Sequence, residues 1–292
     1  ARILRVSFLF AGWTGFLLTA VSCGGSDIDI PDSYGQTAPD RNPGSGSDPD
    51  PDPDPDPNPD PDPDPEQVTL TMVDPAATAE TQALYSNLWT IASRGFMFGH
   101  HDDLWYGRYW YDEPGGSDTK AVCGDYPAVF SVDFGPLMDD RFDREADMRE
   151  NEIRRRVILE AYERGEVVTA CCHLNNPLTG GDSWDNSHAG VVKAILDEST
   201  AAHAKYMEWL HRVADFANNL RGSDGRLIPV IFRPYHEHTQ EWSWWGSKCT
   251  TEEEFVGFWR MTVRYLRDTK GVHNFIYAIS PQMDAVYGNT RD

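Results

Sequence analysis

The sequence predicts an α/β chain organised as a (β/α)8 TIM barrel, with about the first five β/α units present. Three observations carry this reading. Short apolar, β-branched runs of strand length alternate with longer segments whose apolar residues recur at helical spacing. Polar residues stand repeatedly at the C-terminal ends of those runs, where a barrel gathers its functional groups on one face. No glycine-rich phosphate loop follows any run, which removes the commonest reason to expect a doubly wound nucleotide-binding sheet.

The folded part is expected at residues 67–292, after two segments of other character. Residues 1–22 read as an export signal: an apolar run follows Arg2 and Arg5 and ends in small residues before Cys23. That lipobox-like ending makes Cys23 the expected lipid-acylated residue of an exported bacterial lipoprotein at the outer membrane or cell surface. A transmembrane anchor competes, but the run is short for a span and abuts a cysteine. Residues 23–66 read as a linker, Gly- and Ser-rich at first and then an Asp-Pro repeat broken by Asn58. Proline at every second position forbids helix and ladder pairing, and alternating carboxylates stretch the chain by repulsion. Residues 48–66 hold nine acidic residues and no basic ones, so the net charge of −22 falls to −13 for the remainder. An acidic remainder argues against a nucleic-acid partner.

From residue 68 onward the two periods alternate. Residues 78–93 read as a helix with Leu84, Leu88 and Ile91 on one stripe and Gly95 as its stop. Residues 96–99 read as the first strand, opening into His100, His101, Asp102 and Asp103. A second strand at 127–134 carries Asp133 near its end. A charged helix at 144–164 turns Ile153, Val157 and Ala161 inward, with Gly165 as its stop. The third strand, 167–172, leads into His173, Asn176 and Pro177. A long helix at 201–220 places Met207, Leu210, Val213, Ala217 and Leu220 at helical spacing before Gly222. After the fourth strand, 228–232, residues 251–254 form a capping-box signature ahead of Phe255, Phe258, Trp259 and Leu266. A fifth strand is expected at 274–279. In a barrel, His100, Asp133, His173 and Glu237 would meet at a single mouth. Five strands do not close such a barrel. The chain also begins at Ala1 rather than a methionine and stops at Asp292 soon after an apolar run, so both ends are expected to be cut.

The stretch from 228 to 246 carries most of the chemistry. A buried strand opens into a loop that holds Arg233, His236, Glu237, His238, Glu241, Trp242, Trp244 and Trp245. A carboxyl among indoles is partly desolvated, which raises its pKa toward the range a general acid needs, and Glu237 is the candidate. Strand alternation would put Arg233, Tyr235 and Glu237 on one side, so His236 reaches the same cleft only if the chain bends. Cys123, Cys171, Cys172 and Cys249 lack zinc-site spacing; a disulfide and buried free thiols are both open to them.

The order Arg-Pro-Tyr-His-Glu-His-Thr-x-x-Trp-x-Trp-Trp-Gly at 233–246 resembles the acid/base signature of glycoside hydrolase family 26, the β-mannanase family. Phe98-Gly99-His100-His101, and His173 with Asn176-Pro177, are similar to its other motifs. The resemblance implies a retaining hydrolase that cleaves β-1,4-mannosidic linkages in mannan, galactomannan or glucomannan by double displacement. It implies Glu237 as acid/base and a nucleophile glutamate on strand seven, which would lie beyond residue 292. On the same basis His100, His173, Arg233, His236, Trp242 and Trp245 would bind substrate. The enzyme is expected to work as a monomer with no cofactor and no metal. Xylan or mixed-linkage glucan is the alternative substrate within that family. Two other classes compete: a metal site built from residues 100–103 with His173, and a non-catalytic glycan-binding lipoprotein whose tryptophans stack on sugars.

Overall fold

The structure is a computed structural model that describes residues 70–140 and 144–282; the expected signal segment, Cys23 and the Asp-Pro linker lie outside the described residues. Its first helix, α1 (Ala79–Ala92), begins where Thr78 accepts a hydrogen bond from the Thr81 amide. That contact satisfies one of the donors a helix leaves unpaired at its start. Leu84, Leu88 and Ile91 are half-buried and line a cleft of about 620 Å³ with Val167 and Pro229. Strand β1 (Gly99–His101) follows, then a hairpin of β2 (Tyr106–Gly107) and β3 (Trp110–Tyr111), and the short helix α2 (Asp118–Cys123).

Strand β4 (Val129–Asp133), helix α3 (Glu145–Arg164), strand β5 (Val167–Cys171), helices α4 (Val191–Leu196) and α5 (Ala201–Asn218), strand β6 (Val230–Arg233), helix α6 (Glu252–Arg264) and strand β7 (Phe275–Tyr277) complete the order. The main sheet runs β1-β4-β5-β6-β7, and every pairing in it is parallel. Each strand lies beside the next strand of the sheet in chain order. A doubly wound sheet would instead reverse direction at a switch point, so the sequential order is that of a barrel wall.

Alternation sorts the residues of each strand. Phe130 and Val132 are fully buried, whereas Val129, Ser131 and Asp133 on the other face are half-buried. Phe232 stacks on Phe275 at 4.7 Å between ring centres and meets Phe134 at 6.3 Å; Phe216 of α5 closes on Phe134. Burying each such ring stabilises the fold by about 1.5–3 kcal/mol. Trp209, Leu210 and Val213 extend this core along α5. Helix α3 stops at Gly165, whose φ of 88° is left-handed and suits a residue without a Cβ. The expected capping box at Thr251 and Glu254 is present in full.

Several expectations need correction. Strand β1 pairs from Gly99 rather than from residue 96, so both His100 and His101 lie inside it. Helix α5 ends at Asn218, where Asn219 caps it, and Leu220 packs in the core beyond the helix. The four cysteines of the described residues are free: Cys171, Cys172 and Cys249 are buried and Cys123 is exposed. Among the described residues no helix is long and apolar enough to cross a membrane.

Candidate active site

The mouth forms where β1, β4, β5 and β6 end. Asp133 is its anchor. Its Oδ1 accepts hydrogen bonds from the amides of Gly135 (2.7 Å) and His173 (3.1 Å), and its Oδ2 accepts from His173 Nδ1 (3.0 Å). Burial by itself would raise this carboxyl, but the hydrogen bond and charge of His173 and the two amides outweigh it and hold it at about 2. The pair fixes the His173 ring, leaving Nε2 as its remaining polar atom. Backbone contact is tight here: a Cβ at Gly135 would lie 2.6 Å from the His173 carbonyl oxygen.

His173 meets His236 edge-on at 4.7 Å between ring centres. His236 is buried, and its ring also faces Trp242 at 5.6 Å and Trp245 at 5.9 Å. Burial, then the charges of His173 and Arg233, lower its pKa to about 3, so this imidazole is neutral at working pH. It reaches the cleft because β6 ends at Arg233 and the chain turns through Pro234. The alternation expected beyond Arg233 therefore fails. Tyr235 points to the helices, sharing hydroxyl contacts with Tyr206 and Thr262, while Arg233 bonds to Ser280 Oγ at 2.9 Å.

Glu237 sits on that turn with a φ of 54°. A residue with a Cβ in this region costs about 1–3 kcal/mol and persists only where its surroundings hold it. Its amide donates to Ser280 O at 2.7 Å, and its carbonyl accepts from the Gln240 amide at 2.9 Å. Trp242 Nε1 donates to Glu237 Oε2 at 2.9 Å, which orients the carboxyl. Of the three neighbouring indoles, this one alone directs its N–H at Glu237. Trp244 Nε1 donates to Leu174 O and Trp245 Nε1 to His236 O. Trp245 is fully buried, so it supports the cleft from behind rather than presenting a face to a ligand.

The first-strand histidines exchange roles. His100 lies 3.4 Å from Asp103 and alternates away from the mouth, whereas His101 bonds to Ser131 Oγ at 2.9 Å and faces Asp102 at 3.2 Å. Burial opposes protonation of His101, but Asp102 and Asp133 prevail and raise its pKa. Trp184 was not anticipated. It lies in the irregular segment between β5 and α4, is 56% exposed, and packs on Trp242 at 4.6 Å. No periodicity marks that segment; a tryptophan in a polar, glycine-bearing loop was the available signal.

The metal reading fares differently. Among the described residues the one set of donors close enough to share an ion is Asp133, Cys171 and His173, within 4.8 Å of one another, not residues 100–103. Within it, Cys171 is buried and its thiol is pushed well above the usual range, while Asp133 and His173 already satisfy each other.

A half-buried aspartate paired with an exposed imidazole, a neutral second imidazole and a carboxyl held by an indole now stand together at the ends of parallel strands. The sequence pattern of glycosyl hydrolase family 26 matches residues 73–288. The chain belongs to this family. It is 34% identical over 221 residues to a mannan endo-1,4-beta-mannosidase of Bifidobacterium adolescentis, covering 73% of this chain and 21% of that protein. To the Bacillus subtilis strain 168 enzyme of that name it is 25% identical, covering 56% and 45%. Among solved structures, a GH26 β-mannanase from Bacteroides ovatus is 42% identical with a TM-score of 0.65, over 71% of this chain and 59% of that one. A modular endo-β-1,4-mannanase from Cellulomonas fimi is 35% identical with a TM-score of 0.67, over 73% and 48%. The chain thus spans less than two thirds of the length of these relatives. With the sequential sheet order, the family assigns β1, β4, β5, β6 and β7 as five successive strands of a (β/α)8 barrel.

Proposed function

We propose that this site belongs to a retaining β-mannanase that cleaves β-1,4-mannosidic linkages in mannan, galactomannan or glucomannan. Glu237 carries the reading: a carboxyl on a strained residue at the end of β6, hydrogen-bonded to an indole of the cleft wall. In this role it protonates the leaving oxygen and later activates the water that releases the sugar. The second carboxylate is the nucleophile, about 5–5.5 Å away in a retaining enzyme; the family resemblance assigns it to strand seven. His173, His236 and Trp242 line the subsite of the sugar being cleaved, and the exposed ring of Trp184 extends it. The names of the Bifidobacterium and Bacillus relatives support this substrate class.

Glu237→Ala tests the assignment. Loss of the acid and base should lower mannan hydrolysis by about 10²–10⁴-fold. An aryl β-mannoside with a good leaving group should still give its initial burst, followed by slow turnover. Azide should rescue that turnover and yield the β-mannosyl azide. The α-azide would make Glu237 the nucleophile, and full activity on mannan would remove it from the mechanism.

The same proposal includes a lipid anchor on Cys23, supported by the apolar segment before it. The natural protein should fractionate with membranes, and Cys23→Ala should move it to the soluble fraction; unchanged fractionation counts against acylation.

A further inference from the structure

The hairpin of β2 and β3 carries three tyrosines that the chemistry above does not use. Its register pairs Tyr106 with Tyr111 and Gly107 with Trp110. Directly paired residues of an antiparallel ladder project on one face, so each pair occupies its own side. The Trp110 side is locked. Trp110 Nε1 donates to Asp118 Oδ1 and the Arg108 amide to Asp118 Oδ2, both at 2.8 Å. The Trp110 ring also lies over Gly116, where a Cβ would come within 2.6 Å of it.

The other side faces solvent. Tyr111 is 55% exposed, and Tyr109 at the turn is 87% exposed. The Arg108 guanidinium sits 5.2 Å from the Tyr109 ring centre. The hairpin is also braced to the mouth: Tyr106 Oη donates to Asp102 Oδ2 at 3.1 Å, Asp102 faces His101, and His101 bonds to Ser131. Ser131 stands on the same face of β4 as Asp133. Rings held out by a braced scaffold at the rim of a cleft form a binding surface rather than unsatisfied core.

Tyrosine suits a sugar, because its flat ring meets the C–H face of a pyranose while its hydroxyl reaches a sugar hydroxyl. Outside the Asp-Pro segment the chain still carries a net charge of −13, which disfavours an anionic ligand and suits a neutral glycan. In the sheet, β1 is three strands from β6, or about 14 Å at the usual strand spacing. That is farther than one pyranose ring reaches. We propose that Tyr109 and Tyr111 form a distal subsite that stacks on another mannose unit of the polysaccharide held at Glu237. This rests on the mannanase reading and adds to it a preference for long chains.

Calorimetric titration with mannohexaose and mannotriose tests the proposal, using the full protein in a Glu237→Gln background that prevents turnover. Tyr109→Ala with Tyr111→Ala should weaken mannohexaose by about tenfold, equivalent to about 1.4 kcal/mol. The ratio of hexasaccharide to trisaccharide affinity should fall by nearly the same factor. Tyr111→Phe should keep that ratio, since it retains the ring, and its thermal midpoint should match the parent's. An unchanged ratio in the double variant overturns the subsite and leaves the mannanase reading standing. A parent that hydrolyses no mannan and binds neither oligosaccharide overturns both.

Discussion

Asp133 and Glu166 are carboxyls at opposite ends of neighbouring strands, and burial pushes both toward the neutral form. Their outcomes diverge. Asp133, at the C-terminal end of β4, collects three N–H donors and the charge of His173 and is held at about 2. Glu166, just before β5, has burial as its largest influence; Arg164 opposes this at 2.6 Å, Asp103 and Asp125 add to it, and the carboxyl is raised to about 7. Its Oε2 has no hydrogen-bond partner among the described residues. Donor count decides the difference, because a buried carboxylate is stable only when its oxygens are satisfied. The two ends of the sheet thus divide the work. The C-terminal end spends its polar groups on holding imidazoles, as barrel mouths do, and the other end tolerates an incompletely paired acid.

The strongest way to break this comparison is Asp133→Ala. It leaves the His173 ring unheld and two amides without acceptors, which should cost about 2–4 kcal/mol in urea unfolding at pH 7. On the proposed role of His173 in binding substrate, mannan hydrolysis should fall by about a hundredfold or more as the imidazole loses its orientation. A loss of stability under about 1 kcal/mol would mean that the donors find other partners. In the unaltered protein the contribution has a defined sign. The folded pKa lies below the ordinary 3.8, so the stabilisation is complete above that value and drains as pH falls toward about 2.

Glu166→Gln sharpens the comparison from the other side and should have the smaller effect. The folded pKa is raised, so the native state keeps a proton that the unfolded chain releases between 4.5 and about 7. Stability therefore declines as pH rises through that window. The variant should be more stable than the parent by about 1–2 kcal/mol at pH 8 and equal to it at pH 4, by thermal or urea unfolding across pH. A variant that is destabilised at pH 8 would show that the Arg164 pair outweighs burial.

The wall of the fold was readable because its signals are periodic. The apolar runs and helical stripes led to the five strands and to α1, α3, α5 and α6 with ends off by a few residues. Those few residues decided the site details. Pairing beside Ser131 puts His101 rather than His100 on the face of the sheet that carries Asp133, since neighbouring side chains point to opposite sides. Composition marked the tryptophan cluster but could not separate Trp242, which holds Glu237, from Trp244 and Trp245, which hold backbone carbonyls. The hairpin went unseen because its turn, Arg108-Tyr109, lacks the Asn-Gly or Asp-Gly that announces one. Trp184 went unseen because its position depends on a loop crossing to Trp242, a contact between residues 58 apart.

The bend after Arg233 sends two adjacent side chains to opposite sides of the wall: Tyr235 into the hydroxyl cluster with Tyr206 and Thr262, and His236 into the cleft. In a lineage this joins two selections that most barrels keep apart. The outer helices of a barrel ordinarily drift, exchanging one apolar residue for another of similar volume with little consequence for chemistry. Here α5 and α6 grip Tyr235, the residue next to the cleft imidazole His236, and two beyond Tyr235 is the strained Glu237. The inheritance of the site therefore passes through the packing of helices that lie outside the cleft.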